Sequence, residues 1–176
     1  MKIIDPAYLF RLSPMQRLVS VYIASLLFAT SMLSMSATAV EGVISSDVTW
    51  SKSASPYTVS GNIGVSKGAK LIIEPGVEIE FLGDFEILVN GAIDARGTGD
   101  DPIKFIGNSK DQGEFHEGGA SAMLLFQKAN LTSSRLDNVS FSDAVWAVRI
   151  GNEREGDSDG NNSGTLDVTS LNFENC

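Results

Sequence analysis

Short runs of alternating apolar and polar residues recur along the chain downstream of residue 60. In the stretch LIIEPGVEIEF, residues 71–81, one such run precedes a Pro-Gly pair and another follows it. Strict alternation over a few residues predicts short β-strands with one buried face. Pro75 and Gly76 fit a type II turn, whereas tight hairpins prefer the primed turns, whose twist matches the flanking strands. The pattern therefore predicts a corner between two strands that do not pair with each other.

The apolar runs of residues 63–81 recur in the same order in residues 87–105. The matched pairs, at offsets of 24, 22 and 24 residues, are Ile63 with Ile87, Leu71 with Ile93, and Ile79 with Ile103. Such short strands bury their inward side chains only when each coil stacks on the next coil. The repeat therefore predicts an all-β fold, a single-stranded parallel β-helix in which each matched pair is stacked. Parallel crossovers are right-handed, so we expect a right-handed solenoid.

The repeat loosens after Phe105, where two polar stretches, residues 107–121 and 151–164, are predicted to be loops inserted between strands. The segments LDNVSF and VTSLNF restore the match at an offset of 32 residues, pairing Leu136 with Val168, Val139 with Leu171, and Phe141 with Phe173. Residues 61–176 are thus assigned to the coils. The alternation stops within a coil, which predicts that the chain is truncated at its carboxyl terminus and that further coils lie beyond it.

Residues 61–105, GNIGVSKGAKLIIEPGVEIEFLGDFEILVNGAIDARGTGDDPIKF, resemble a known pattern. They are similar to the amino-terminal coils of bacterial right-handed parallel β-helix repeat proteins of the pectin-lyase-like superfamily. The resemblance implies the solenoid architecture. It does not imply one function, because such coils occur in polysaccharide lyases and hydrolases, in adhesins and in other surface proteins.

Residues 1–39 have the composition of a signal peptide. Basic residues precede an uncharged apolar run from Leu18 to Leu33, and small residues follow it up to Ala39. We expect cleavage after Ala39 and hence export to the periplasm, the cell surface or the medium. The alternative is an uncleaved anchor, because the uncharged stretch 18–40 is long enough to span a bilayer. Membrane contact is expected through this segment only.

Residues 40–60 form a polar segment that contains Trp50 and Tyr57. The first coil of a solenoid would otherwise expose apolar side chains and an unpaired strand edge. The segment is therefore predicted to cap the amino-terminal end of the coils. The alternative for Trp50 is an exposed platform on which a sugar ring stacks.

The chain is acidic, with a formal net charge of −9. Residues 1–39 hold one acidic and three basic residues, so their removal leaves 21 acidic and 10 basic residues, a net charge of −11. Binding to nucleic acid needs a basic surface, so this class of partner is excluded. Polysaccharides or other cell-surface components are the expected partners. The chain has one cysteine, Cys176, so no disulfide can form within it.

The resemblance implies what a catalytic site would contain. Lyases of this superfamily use clustered carboxylates for Ca²⁺ and an Arg or Lys as base, and the hydrolases use groups of Asp with His and basic residues nearby. The stretch DARGTGDD, with Asp94, Arg96, Asp100 and Asp101, is the nearest approach. Asp94 and Arg96 both point outward by strand alternation, which is typical of a surface ion pair. His116, the single histidine, could titrate or bind a metal, but we interpret it as a loop residue. No catalytic residue is assigned.

The stretch DSDGNNSG, residues 157–164, is the sharpest candidate for a metal site. Asp157, Asp159 and Asn161 stand at positions i, i+2 and i+4, with Ser163 next, as oxygen ligands do at the start of a Ca²⁺ loop. Val168 stands where such a loop carries a bidentate Glu. The alternative is an ordinary flexible loop, since Asp, Gly, Asn and Ser all favour turns. Ca²⁺ is the one cofactor for which the sequence offers ligands.

The sequence therefore predicts an exported β-helix repeat module with a structural, adhesive or glycan-contacting role and without a catalytic site of its own. The alternative is the amino-terminal part of a polysaccharide lyase or glycoside hydrolase that acts on acidic polysaccharides. In that case the catalytic coils would follow Cys176.

Overall fold

A computed structural model describes residues 36–108, 122–127, 129, 131–151 and 164–176. They form twelve β-strands. The first six are β1 (Thr38–Ile44), β2 (Val48–Trp50), β3 (Tyr57–Val65), β4 (Lys70–Ile73), β5 (Glu78–Phe81) and β6 (Ile87–Val89). The others are β7 (Ala92–Arg96), β8 (Ile103–Ile106), β9 (Ala122–Phe126), β10 (Arg135–Ser142), β11 (Trp146–Ile150) and β12 (Asp167–Glu174). Two 3-10 turns, Lys52–Ala54 and Leu131–Ser133, complete the elements. Within these ranges no helix is long and apolar enough to cross a membrane.

The described strands pair in parallel with strands of the preceding and following coils, which makes the molecule a parallel β-helix. Three faces run along it. Face A contains parts of β1 and β3 followed by β6, β9 and β11. Face B contains the other parts of β1 and β3, then β5, β8 and the second halves of β10 and β12. Face C contains β2, β4, β7 and the first halves of β10 and β12. The predicted solenoid is confirmed.

The corner at Pro75 and Gly76 is also confirmed. Strand β4 pairs with β2 and β7, and β5 pairs with β3 and β8, so the two strands beside the corner do not pair with each other. Gly76 has φ +75°, and the Val77 N–H donates to the Glu74 carbonyl at 3.4 Å. A positive φ at the third turn position is what a type II turn requires, and glycine adopts it without strain.

Two of the three register predictions for the first repeat are confirmed, because Ile63 pairs with Ile87 and Leu71 pairs with Ile93. The match at offset 32 is confirmed as well, since β10 and β12 pair residue for residue as expected. The third prediction is wrong, because Ile79 lies beside Phe105 rather than Ile103, an offset of 26 residues. The corner before β8 contains more residues than the corner before β5, and these extra residues shift β8 by two positions.

The interior is a set of stacked apolar columns. On face B, Ile79, Phe105 and Phe141 are completely buried and lie one above the other in register. The ring centroids of Phe105 and Phe141 are 5.0 Å apart, and Phe173 continues the stack 5.6 Å from Phe141. The polar neighbours of these residues point outward: Lys104 is exposed, and Glu78 and Glu80 are partly exposed. This inside–outside pattern is the one that the alternation predicted.

The amino-terminal segment 40–60 contributes strands to the solenoid, since it contains most of β1, all of β2 and the start of β3. Trp50 is only 4% exposed and stacks on Tyr57 with the ring centroids 4.8 Å apart. A buried indole cannot serve as a platform for a sugar, so that alternative for Trp50 is wrong. The expected cleavage point after Ala39 falls within β1, and residues 1–35 lie outside the described residues.

Candidate functional site

Five charged side chains lie together on the outer surface of face C, and we call them the face C charge array: Asp94, Arg96, Arg135, Asp137 and Asp167. They point outward because their neighbours Ile93, Ala95 and Leu136 are completely buried, and successive side chains of a strand point to opposite sides. The register then places Arg135 between Asp94 of the coil before and Asp167 of the coil after. Asp137 lies beside Arg96 in the same way.

The array alternates positive and negative groups at short range. Arg96 donates two hydrogen bonds to Asp94, from Nε to Oδ1 at 2.6 Å and from Nη2 to Oδ2 at 2.9 Å. Arg135 Nη2 lies 3.8 Å from Asp137 Oδ2, and Arg135 Nε lies 3.4 Å from Asp167 Oδ2. Each of the three carboxylates is thus next to a guanidinium group. The array presents fixed donors and acceptors on a rigid sheet, with one more negative than positive charge.

Solvent exposure limits what these ion pairs contribute to stability. The Arg96 side chain is 58% exposed and the Arg135 side chain 38% exposed. Ion pairs at such positions contribute on the order of 0–1 kcal/mol, because water and salt screen them. Arg135 Nε is nevertheless buried, and no atom of the described residues gives it a hydrogen bond of good geometry. The array is therefore better explained as a polar contact surface than as a source of stability.

The predicted grouping within DARGTGDD is split by the structure. Asp94 and Arg96 belong to the charge array, whereas Asp101 accepts a hydrogen bond from Lys52 Nζ at 2.6 Å at the corner before β8. Asp100 is exposed at that same corner. Two residues of the four therefore lie in the array, and the other two belong to the corner.

The remaining predicted site residues cannot be placed. Asp157, Asp159, Asn161 and Ser163 lie outside the described residues, and so does His116. Within the described part of the chain, no three potential metal-ligating residues come together. The Ca²⁺ site at residues 157–163 therefore stays a prediction.

A second surface feature is a small cleft where the chain passes from face B to face A, which we call the Trp146 cleft. It is lined by Phe81, Gly83, Asp84, Phe85, Gly107, Asn108, Met123, Ala144 and Trp146. These residues come from the segments that follow β5, β8 and β10, together with the starts of β9 and β11. The Trp146 side chain is 51% exposed, and the Arg149 guanidinium carbon lies 5.5 Å from its ring centroid.

Sequence reasoning missed Arg135, Asp137, Asp167 and Trp146 as surface residues of interest. The first three carry a detectable signal, because the confirmed offset of 32 residues already places Asp167 beside Arg135. Their link to Asp94 spans 41 residues and includes the insertion 107–121, which hides the repeat. Trp146 gives no such signal, since alternation alone does not distinguish an exposed tryptophan from a core residue.

Comparisons with known proteins agree with this architecture. A protein-family model described as a pectate-lyase-like β-helix domain matches residues 42–175. The chain belongs to this family. The resemblance to the pectin-lyase-like superfamily is thereby confirmed.

One curated protein is similar to a part of this pectate-lyase-like β-helix chain. It is Protein bark beetle of Drosophila melanogaster, which is 46% identical over 57 residues. The matched segment covers 32% of this chain and 2% of that protein. No solved structure matches the chain. The family membership establishes the fold and leaves the biochemical role to be argued from the surface.

Proposed function

We propose that this chain is an exported, non-catalytic β-helix module that contacts glycans or other cell-surface components through its outer faces. The observation that carries the proposal is the pairing within the face C charge array. Asp94 accepts two hydrogen bonds from Arg96, and Arg135 lies between Asp137 and Asp167. Carboxylates neutralised in this way offer hydrogen-bond acceptors for hydroxyl groups, while the guanidinium groups offer donors.

The rigidity of the sheet favours a contact function. Both strands that carry most of the array, β7 and β10, are paired on both sides, so the spacing of the charged groups is fixed before any partner binds. Preorganised groups lose little conformational entropy on binding, which favours affinity for a repeating polymer. The acidic character of the chain is compatible with a polysaccharide or a protein partner and unfavourable for nucleic acid.

The second candidate is the amino-terminal part of a polysaccharide lyase or glycoside hydrolase. It is favoured by the same array, because three carboxylates and two arginines on one outer face have the composition that lyases of this superfamily use. In that case the array would lie at one end of a longer substrate groove.

The two candidates are separated by measuring binding and turnover on the same samples. The full chain is mixed with polygalacturonate and with a neutral β-glucan, each with and without millimolar calcium. Affinity electrophoresis reports binding, and the release of unsaturated or reducing sugar ends reports cleavage. We expect retardation by at least one polysaccharide and no release of new ends.

Variants connect the binding to the array. Arg96→Gln and Arg135→Gln should reduce the retardation, whereas Lys67→Gln, which removes an exposed cation outside the array, should not. Catalytic release of sugar ends would overturn the non-catalytic role. Absence of retardation by both polysaccharides would overturn the glycan contact and leave a structural role.

A further inference from the structure

The Trp146 cleft combines an exposed aromatic ring with polar groups at its rim. Trp146 and Phe85 supply aromatic surface, and Asp84 and Asn108 supply carboxylate and amide groups. Strand β11 holds the backbone of Trp146 through its parallel pairing with β9, so the ring is carried by a rigid element. This cleft is distinct from the face C charge array, because its residues follow the strands of face B and none belongs to face C.

The exposure of Trp146 is unusual within this chain. The other tryptophan, Trp50, is 4% exposed, whereas Trp146 is 51% exposed. Leu82 and Val145, next to residues that line the cleft, are 56% and 38% exposed. Large apolar side chains that lie exposed close together lose contact with water when a partner covers them, so such patches commonly mark binding surfaces. An amphipathic indole is especially suited to this, since its N–H can still donate a hydrogen bond.

We propose that the Trp146 cleft is a glycan-binding subsite in which a pyranose ring stacks on the indole. This inference rests on the proposed glycan contact and adds the site and the class of sugar. A pyranose with equatorial hydroxyl groups has two apolar faces formed by its axial C–H groups, and one such face covers an indole well. Its hydroxyl groups would lie at the rim, where Asp84 can accept hydrogen bonds and Asn108 can both donate and accept them.

The shape of the cleft favours a ring lying on its surface over other occupants. The enclosed part is only about 10 Å³, room for roughly one water molecule, so an apolar small molecule cannot be swallowed by it. An amphipathic helix needs a long apolar groove, and acidic rim residues such as Asp84 disfavour nucleic acid. The Arg149 guanidinium beside the indole keeps the surroundings polar, which matches a ligand that carries many hydroxyl groups.

Tryptophan fluorescence gives a direct test, since one indole is buried and the other is exposed. The full chain is titrated with cellohexaose, a β-linked oligosaccharide with equatorial hydroxyl groups, and acrylamide quenching is measured at each step. We expect the quenchable fraction, which comes from Trp146, to become protected as the sugar binds. In Trp146→Ala the affinity measured by calorimetry should fall by about tenfold or more, which corresponds to ~1.4 kcal/mol.

Matched variants keep the result interpretable. Val43→Ala removes a side chain that is 74% exposed on β1, at the other end of face A, and should bind the sugar as the wild type does. Leu82→Ala, beside the cleft, should weaken binding less than Trp146→Ala does. Circular dichroism checks that each variant is folded, which is expected because both side chains are exposed.

Two outcomes would overturn the subsite. The first is equal affinity in Trp146→Ala and the wild type while Arg135→Gln loses binding, which leaves the proposed glycan contact intact and assigns it to the charge array alone. The second is protection of Trp146 from acrylamide before any sugar is added, which shows that another part of the chain already covers the indole. Absence of retardation by both polysaccharides in the electrophoresis experiment would instead remove the proposed glycan contact itself.

Discussion

Single residues in the interior owe their importance to the stacking of coils. Phe105 is completely buried, lies in register between Ile79 and Phe141, and stacks on the Phe141 ring at 5.0 Å. Removing such a ring exposes the coils on both sides to a cavity rather than loosening one coil. The same alternation that buries Phe105 leaves the adjacent Lys104 exposed, so neighbouring positions provide an internal contrast.

Truncation of Phe105 to alanine should therefore lower the free energy of unfolding by about 3–5 kcal/mol, as large-to-small changes in buried aromatics do. Chemical denaturation monitored by circular dichroism measures the change. Lys104→Ala is the control and should lower stability by less than about 1 kcal/mol, because it removes only a half-exposed ion pair with Glu78. A loss below about 1 kcal/mol for Phe105→Ala would show that the ring is not part of a packed stack.

Gly97 and Gly99 make a sharper residue pair, since they lie in the same corner with opposite surroundings. A Cβ on Gly97 would overlap the carbonyl oxygen of Asn138 in the next coil and lie 2.8 Å from the backbone nitrogen of Ile103. Around Gly99 no atom lies within 4 Å of the same position. We expect Gly97→Ala to lower the unfolding free energy by about 1–3 kcal/mol, because backbone atoms must move, and Gly99→Ala to leave it unchanged or slightly raised. Equal thermal stabilities of the two variants would contradict the close approach of the coils.

At the level of strands, the sequence predicts faces better than registers. Ile63 with Ile87 and Leu71 with Ile93 are correctly paired, because the segments that connect these strands differ little in length between coils. Ile79 is misplaced by two residues. A shift of two leaves every inward residue inward, so the apolar pattern fits both registers equally well and only the corner length decides between them. The sequence gives no independent measure of that length.

Charged residues on β5 and β8 can test this register. Glu78 pairs directly with Lys104, and their side chains form an ion pair at 2.6 Å, whereas a register at offset 24 would place Glu80 beside Lys104. A double-mutant cycle with alanine at Glu78 and Lys104 should give a coupling energy of about 0.2–1 kcal/mol that falls as salt is added. The matched cycle with Glu80 and Lys104 should give none within error. The reverse result would restore the register that was predicted from the sequence.

At the scale of the whole molecule, the solenoid brings together residues that are far apart in the chain. The charge array joins residues separated by 41 and 32 positions, from Asp94 to Arg135 and on to Asp167. The sequence predicts the outward direction of Asp94 and Arg96 correctly. It cannot predict the complete array, because the length of an inserted loop changes the offset without changing the stack. Function on such a scaffold therefore depends on which outward positions the insertions align.

The loop 151–164, which joins β11 to β12, is the place where a ligand could change the stability of the stack. Asp157 and Asp159 with nearby oxygens could hold Ca²⁺ weakly, with a dissociation constant around 10⁻⁴–10⁻³ M, because no bidentate Glu follows them. At a tenfold excess over that constant, binding would add about 1.4 kcal/mol, since the gain is RT ln(1 + [L]/Kd). Calorimetry and thermal unfolding in millimolar calcium should therefore show a modest response in the wild type and in Asp100→Ala. The double variant Asp157→Ala with Asp159→Ala should lose it. A calcium response that is absent in the wild type, or unchanged in the double variant, would make residues 157–163 a plain surface loop.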